Sequence, residues 1–85
     1  MVIAPPAEGR AVTQGDQVVF TWRNPDPKAG DTFLYQPILV DATLPLTSTA
    51  DPTATVPAQK PKTCLEVRVV RSNGQASNPT KVCTP

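Results

Sequence analysis

Residues 64–83 read CLEVRVVRSNGQASNPTKVC and hold both cysteines of the 85-residue chain. Folded about Asn73-Gly74, the ends meet: Cys64 falls opposite Cys83, Leu65 opposite Val82 and Glu66 opposite Lys81. Asn-Gly is the strongest short-range hairpin signal. A two-residue turn makes Ser72:Gln75 the first hydrogen-bonded pair, and by alternation Val70:Ser77, Arg68:Pro79 and Cys64:Cys83 are hydrogen-bonded pairs too. Pro79 has no N–H to give there. A four-residue loop, Ser72 to Gln75, keeps these partners and swaps the parity. Arg68:Pro79 and Cys64:Cys83 then become non-hydrogen-bonded pairs, where a missing donor costs little and side chains approach closely enough for a disulfide. Proline and cysteines together predict a loop of about four residues or more, built on a type I turn.

In that register Leu65 and Val82 point to a core. Glu66 and Lys81 make an outer-face pair worth ~0.2–1 kcal/mol. Cys64–Cys83 closes on the same outer face and stabilises by roughly 3 kcal/mol in the chain-entropy model. Two separate buried thiols are the competing arrangement. A disulfide suits a chain of 85 residues, too short to bury a large core.

Working outward, QVVFTW (17–22) alternates cleanly, with Val18, Phe20 and Trp22 on one face, and reads as a half-buried strand. Gly15-Asp16 before it is a turn signal, and residues 1–10 form an extended lead-in or a first edge strand. RNPDPKAGD (23–31) is a loop. TFLYQPILV (32–40) is a strand that must bend or lie at an edge where Pro37 removes a donor. Residues 41–52 read as a polar, proline-broken crossing segment, with Asp41 and Asp51 as turn formers. After it come a short strand TATVPA (53–58) and the strand TCLEVRVV (63–70). Six or seven short strands and 11 prolines describe one all-β domain spanning 1–85, an antiparallel sandwich.

The composition excludes several functions. Net charge is +1, from eight basic and seven acidic residues scattered singly, which is no footprint for nucleic acid. No apolar run reaches the ~18 residues of a membrane span. MVIAPPAEGR has no charged n-region or long apolar core, so if the domain is extracytoplasmic its targeting segment is expected outside this chain. There is no histidine, so two cysteines cannot complete a zinc site and no Ser–His pair can form. Neither a catalytic site nor a cofactor is expected.

Within this frame the chain resembles a fibronectin type III domain, most densely from Pro57 to Pro79. Trp22 in VVFTWRNP matches the family's core tryptophan and Tyr35 its third-strand tyrosine. QKPKTCL matches the E-to-F turn at Pro61 and Thr63. EVRVVRSNGQASNP matches the F strand and the segment after it at Val67, Arg68, Val69, Asn73, Ser77 and Pro79. The family's F-strand tyrosine is Leu65 here and the turn leucine is Gln59, so the tyrosine corner is missing. The disulfide is expected to take over that clamp. The resemblance implies a seven-stranded antiparallel immunoglobulin-like β-sandwich of fibronectin type III topology with one F–G disulfide. It is nearest the divergent domains of bacterial surface proteins, including ectodomains of bacterial serine/threonine protein kinases.

Trp22 and Tyr35 suit a sugar platform, yet their alternation with core positions makes packing the stronger reading. Asp26 and Asp31 share a loop and could share a cation, though turn chemistry explains both and no calcium-loop spacing is present. Asn78-Pro79-Thr80 fails as a glycosylation acceptor because of its proline. No Arg-Gly-Asp triplet exists. The loops 23–31 and 72–78 would meet at one end of a sandwich, where recognition usually sits. Arg23, Asn24, Asp26, Lys28, Asp31, Ser72, Asn73 and Gln75 are the candidate recognition residues. The sequence therefore predicts a monomeric, extracytoplasmic, non-catalytic module of a larger protein, a spacer or protein-interaction unit with a protein or cell-wall glycan as partner. The rival is a carbohydrate-binding accessory module of a secreted hydrolase, which needs two or more exposed coplanar aromatics.

Overall fold

Alternation of apolar and polar residues sets the architecture. In the computed structural model, which describes residues 2–39 and 45–85, seven strands form among the described residues. They are β1 (Ala7–Gln14), β2 (Gln17–Arg23), β3 (Thr32–Ile38), β4 (Thr47–Thr49), β5 (Thr53–Pro57), β6 (Cys64–Val70) and β7 (Thr80–Cys83). One antiparallel sheet has the order β1-β2-β5 and the other β4-β3-β6-β7. Val18, Phe20 and Trp22 of β2 and Ala54 and Val56 of β5 bury against Phe33 of β3, Leu65, Val67 and Val69 of β6 and Val82 of β7. Ile3 joins this core from the lead-in. β2, β5 and β6 contribute their inward, period-2 positions, as a two-layer sandwich requires.

The edge strand begins inside the lead-in and runs to Gln14, pairing with β2. The turn at Gly15-Asp16 has Gly15 at φ 63° and Asp16 at negative φ, the signs of a II′ turn. Between Ala7↔Arg23 and Arg10↔Thr21 the register shifts by one, so Glu8 and Gly9 bulge opposite Trp22. Glu8 takes the left-handed conformation, φ 55°. Gly9 is needed for a different reason: a Cβ there would run into the Cγ2 of Val82 on β7. The bulge thus lets β1 lean across to the second sheet, where Thr80 Oγ1 donates to Pro6 O at 2.6 Å.

β4 lies within the predicted crossing segment. The continuation of the third strand through Val40 and the turn role of Asp41 fall on residues 40–44, outside the described residues. Pro37 pairs with Leu65. Thr84 N–H donates to Thr63 O at 2.9 Å. Alternation from there makes Leu65:Val82 a hydrogen-bonded pair and turns Pro37:Leu65 into a non-hydrogen-bonded one. The absent N–H of Pro37 therefore faces away from β6, beyond Thr47, where β4 has already ended. That is how a proline survives here.

The terminal hairpin confirms the predicted partners Cys64↔Cys83, Leu65↔Val82 and Glu66↔Lys81, with Val67↔Thr80. The Thr63–Thr84 bond makes the cysteine pair non-hydrogen-bonded, as predicted. The disulfide is present, with Cα atoms 4.0 Å apart. Glu66 and Lys81 are register neighbours but form no ion pair among the described residues. The loop needs correction. It has three residues, Ser72 to Gly74: Gly74 N–H donates to Arg71 O at 2.9 Å and Arg71 N–H to Gln75 O at 2.8 Å. Ser72 and Asn73 keep negative φ and Gly74 takes φ 91°, the pattern of a type I turn closed by a left-handed residue. The tip is offset by one, since Val70 bridges Ala76 rather than Ser77. The slack is absorbed where Ser77 to Pro79 face only Arg68 and Val69. The buried Ser77 hydroxyl accepts the Val69 N–H at 3.0 Å and donates to Asn78 O at 2.9 Å, so the irregular stretch stays paired.

Candidate recognition pole

β2 ends and β3 begins at the same end of the sandwich as the β6–β7 turn, because Thr32 stands opposite Val70. Loops 23–31 and 72–78 therefore meet, as expected. What joins them is Arg71, a residue outside the predicted set. Its Nη1 donates to Asp31 Oδ2 and, at 2.9 Å, to Asp26 O; Nη2 lies 3.3 Å from Asp26 Oδ2. The Arg71 and Asp31 side chains are only 11% and 7% exposed. Leu65, Val67 and Val69 point inward, so Arg71, just past the end of β6, holds the next core-facing parity. An arginine at that parity needs a counter-charge, and this signal was available in the sequence.

Asp31 is the hub. Its Oδ2 also accepts the Asn24 Nδ2 at 2.9 Å and the Lys28 N–H at 3.0 Å. Its Oδ1 is buried without a hydrogen-bond partner, as is the Trp22 Nε1. Burial alone would raise the Asp31 pKa. The donors Asn24, Lys28 and Arg71, with the Arg71 charge, outweigh burial and hold the carboxyl below its ordinary value. Asn24 Oδ1 accepts the Asp26 N–H at 3.2 Å, and Asp31 N–H donates to Lys28 O at 3.1 Å, so the loop is built from side-chain-supported turns. Lys28 Nζ lies 3.4 Å from Asp26 Oδ1. A Cβ on Gly30 would stand 3.0 Å from the Ser72 Cβ, which is where the two loops touch.

Of the predicted residues, Asn24, Asp26, Lys28, Asp31 and Ser72 come together here. Arg23 does not join them: its Nε donates to Glu8 Oε2 at 2.6 Å on the exposed β1–β2 edge. Asn73 and Gln75 bond each other at the turn tip, with Asn73 Nδ2 3.3 Å from Gln75 Oε1. The cation between Asp26 and Asp31 is the guanidinium of Arg71, so a shared metal ion is not needed to explain the pair.

All four aromatics serve the core. Phe20, Trp22 and Phe33 are buried, Trp22 meets Phe33 edge-on with ring centroids 5.5 Å apart, and half-buried Tyr35 tilts against Trp22 at 6.4 Å. The exposed aromatic platform that the carbohydrate reading requires is not formed by these residues. At the opposite pole, Thr63 and the disulfide together tie the chain before β6 to the chain after β7. Buried Thr63 accepts the Gln59 N–H on its Oγ1 at 2.8 Å, and its own N–H donates to Thr84 Oγ1 at 3.1 Å. A cleft of about 520 Å³ at this pole is lined by Ile38, Leu39, Pro61, Cys64 and neighbours; no predicted recognition residue borders it.

Over 99% of its length the chain is similar to the solution structure of the fibronectin type-III domain of human fibronectin type III domain containing protein 3, covering 85% of that chain with a TM-score of 0.71 and 18% identity. No family model and no curated protein matches it. The fold is thus the all-β, seven-stranded fibronectin type III sandwich with a Cys64–Cys83 disulfide.

Proposed function

We propose that this domain is a non-catalytic, extracytoplasmic module of a larger surface, secreted or membrane-anchored protein, and that its loop pole is a protein-interaction surface carried on a spacer-shaped body. The observation that carries this reading is the Arg71 clamp. One nearly buried guanidinium ties two loops into a single preorganised surface, and preorganisation is what lets exposed loops bind without a large ordering cost. The body measures 37 × 23 × 17 Å. β1 starts at the loop pole opposite Arg23 and β7 ends at the disulfide pole, the arrangement an in-line spacer uses. The disulfide fits an oxidising compartment. The sequence resemblance makes the ectodomain of a bacterial receptor-type serine/threonine kinase the parent we favour, with a protein or cell-wall glycan as partner.

The test has two arms, both in the parent protein on intact cells. Membrane-impermeant protease is expected to cleave within or beside the domain; full protection would refute the extracytoplasmic placement. Reversing the exposed charges with Asp26→Lys and Lys28→Glu is expected to abolish co-purification of the parent's partners, whereas exchange of the disulfide pole leaves it intact. Unchanged partners with the reversed loop pole would reduce the domain to a spacer.

A further inference from the structure

The chain has three asparagines, and the residue after each decides its chemistry. Asn24 and Asn78 precede prolines, which have no N–H to act as nucleophile. Asn73 precedes Gly74, and both are exposed at the β6–β7 tip. A Cβ on Gly74 would meet nothing within 4 Å, so the peptide is open on that side. The Asn73 amide is held at both ends by Gln75: the Gln75 N–H donates to Asn73 Oδ1 at 3.0 Å, and Asn73 Nδ2 donates to Gln75 Oε1 at 3.3 Å. The side chain is thereby folded forward along the chain, over the Gly74 peptide that lies between the two residues.

We infer that Asn73-Gly74 is a site of spontaneous backbone modification in the folded protein, one that turns a neutral tip of the recognition pole into an anionic one. The Gly74 nitrogen, as base takes its proton, attacks Asn73 Cγ. The N–Cγ bond forms, the Cγ–Nδ2 bond breaks, and ammonia leaves after gaining a proton. The resulting succinimide takes up one water. Opening at the Asn73 main-chain carbonyl carbon yields isoaspartate; opening at Cγ yields aspartate. Nothing is oxidised or reduced. The Gln75 N–H already sits on the oxygen where negative charge develops, the placement that stabilises an oxyanion. The tethered geometry makes the attack intramolecular. One native bond opposes it, Gly74 N–H to Arg71 O, and this closes an exposed turn of the kind that opens most readily. The product adds a carboxylate beside Ser72 and, as isoaspartate, a methylene to the main chain of the turn.

The experiment incubates the oxidised, folded domain in mildly alkaline buffer, alongside the urea-unfolded chain and an Asn73→Ser variant. Ion exchange reads charge and peptide mapping with isoaspartate-specific methyl transfer reads the site. The folded protein is expected to gain one negative charge at residue 73, mostly as isoaspartate, while Asn73→Ser gains none. An Asn73 that stays intact in the folded protein while the unfolded chain converts would overturn the inference, as would a charge gained at another residue. The outcome does not depend on whether the pole binds a partner.

Discussion

Arg71 continues the core-facing parity of β6 one step past its end yet carries a charge, and the fold accommodates it by bringing Asp31 and Asp26 to meet it. A charge left alone in such a place is costly, while removal of both partners is tolerated better. Arg71→Met is therefore expected to melt at a lower temperature than the double variant Arg71→Met/Asp31→Asn, read by thermal circular dichroism. The pH dependence comes from Asp31, whose folded pKa lies below the ordinary 3.8. Between those two values the unfolded chain binds more protons than the folded one. The contribution is thus complete above 3.8 and is lost as pH falls through the folded pKa. Acid unfolding of Asp31→Asn should show a shallower slope in that window. Trp22 gives a second residue-scale expectation. It is buried, packs edge-on against Phe33, and its indole N–H has no partner. Trp22→Ala should cost about 3–5 kcal/mol in urea unfolding monitored by circular dichroism, and Trp22→Phe markedly less, since no hydrogen bond is lost with the ring nitrogen. Trp22 as core was legible from its alternation with Val18 and Phe20. Arg71 was legible only by extending the Leu65-Val67-Val69 parity one step further.

At the level of elements, β2, β5 and β6 were readable because their inward residues repeat every second position. Thr47–Thr49 was not, since three exposed or half-buried hydroxyl residues carry no alternation and pair only because β3 lies beside them. The hairpin partners emerged from counting, and Pro79 and the cysteines correctly rejected the two-residue turn. The loop length did not. Counting assumes an unbroken ladder, and the buried Ser77 hydroxyl instead supports one extra residue in the return strand. The glycines separate two causes at this scale. Gly15→Ala loses only the tolerance for φ 63° and should cost about 1–2 kcal/mol. Gly9→Ala drives a methyl into Val82 and prises β1 from β7, so its loss in chemical denaturation should be the larger of the two.

For the whole molecule, the Cys64–Cys83 bond closes the last hairpin across 19 positions of sequence and ties the start of β6 to the end of β7. Chain entropy makes its removal cost roughly 3 kcal/mol, a large share of the 5–15 kcal/mol typical of a domain. The purified protein should show no titratable thiol under native, non-reducing conditions, and Cys64→Ser/Cys83→Ser should lower the urea midpoint accordingly; two free thiols in the untreated protein would contradict the pairing. Local pattern by itself determined the all-β class, the core faces of β2 and β6 and the cysteine register. Each of these depends on period-2 alternation or on near neighbours in the chain. Tertiary structure alone decided which groups bind where the two loops meet. The Asp31–Arg71 contact spans 40 residues, and Gly9 and Val82 touch across the two sheets. Contacts of that separation arise only when the layers pack, because packing places charge and volume together regardless of their distance along the chain.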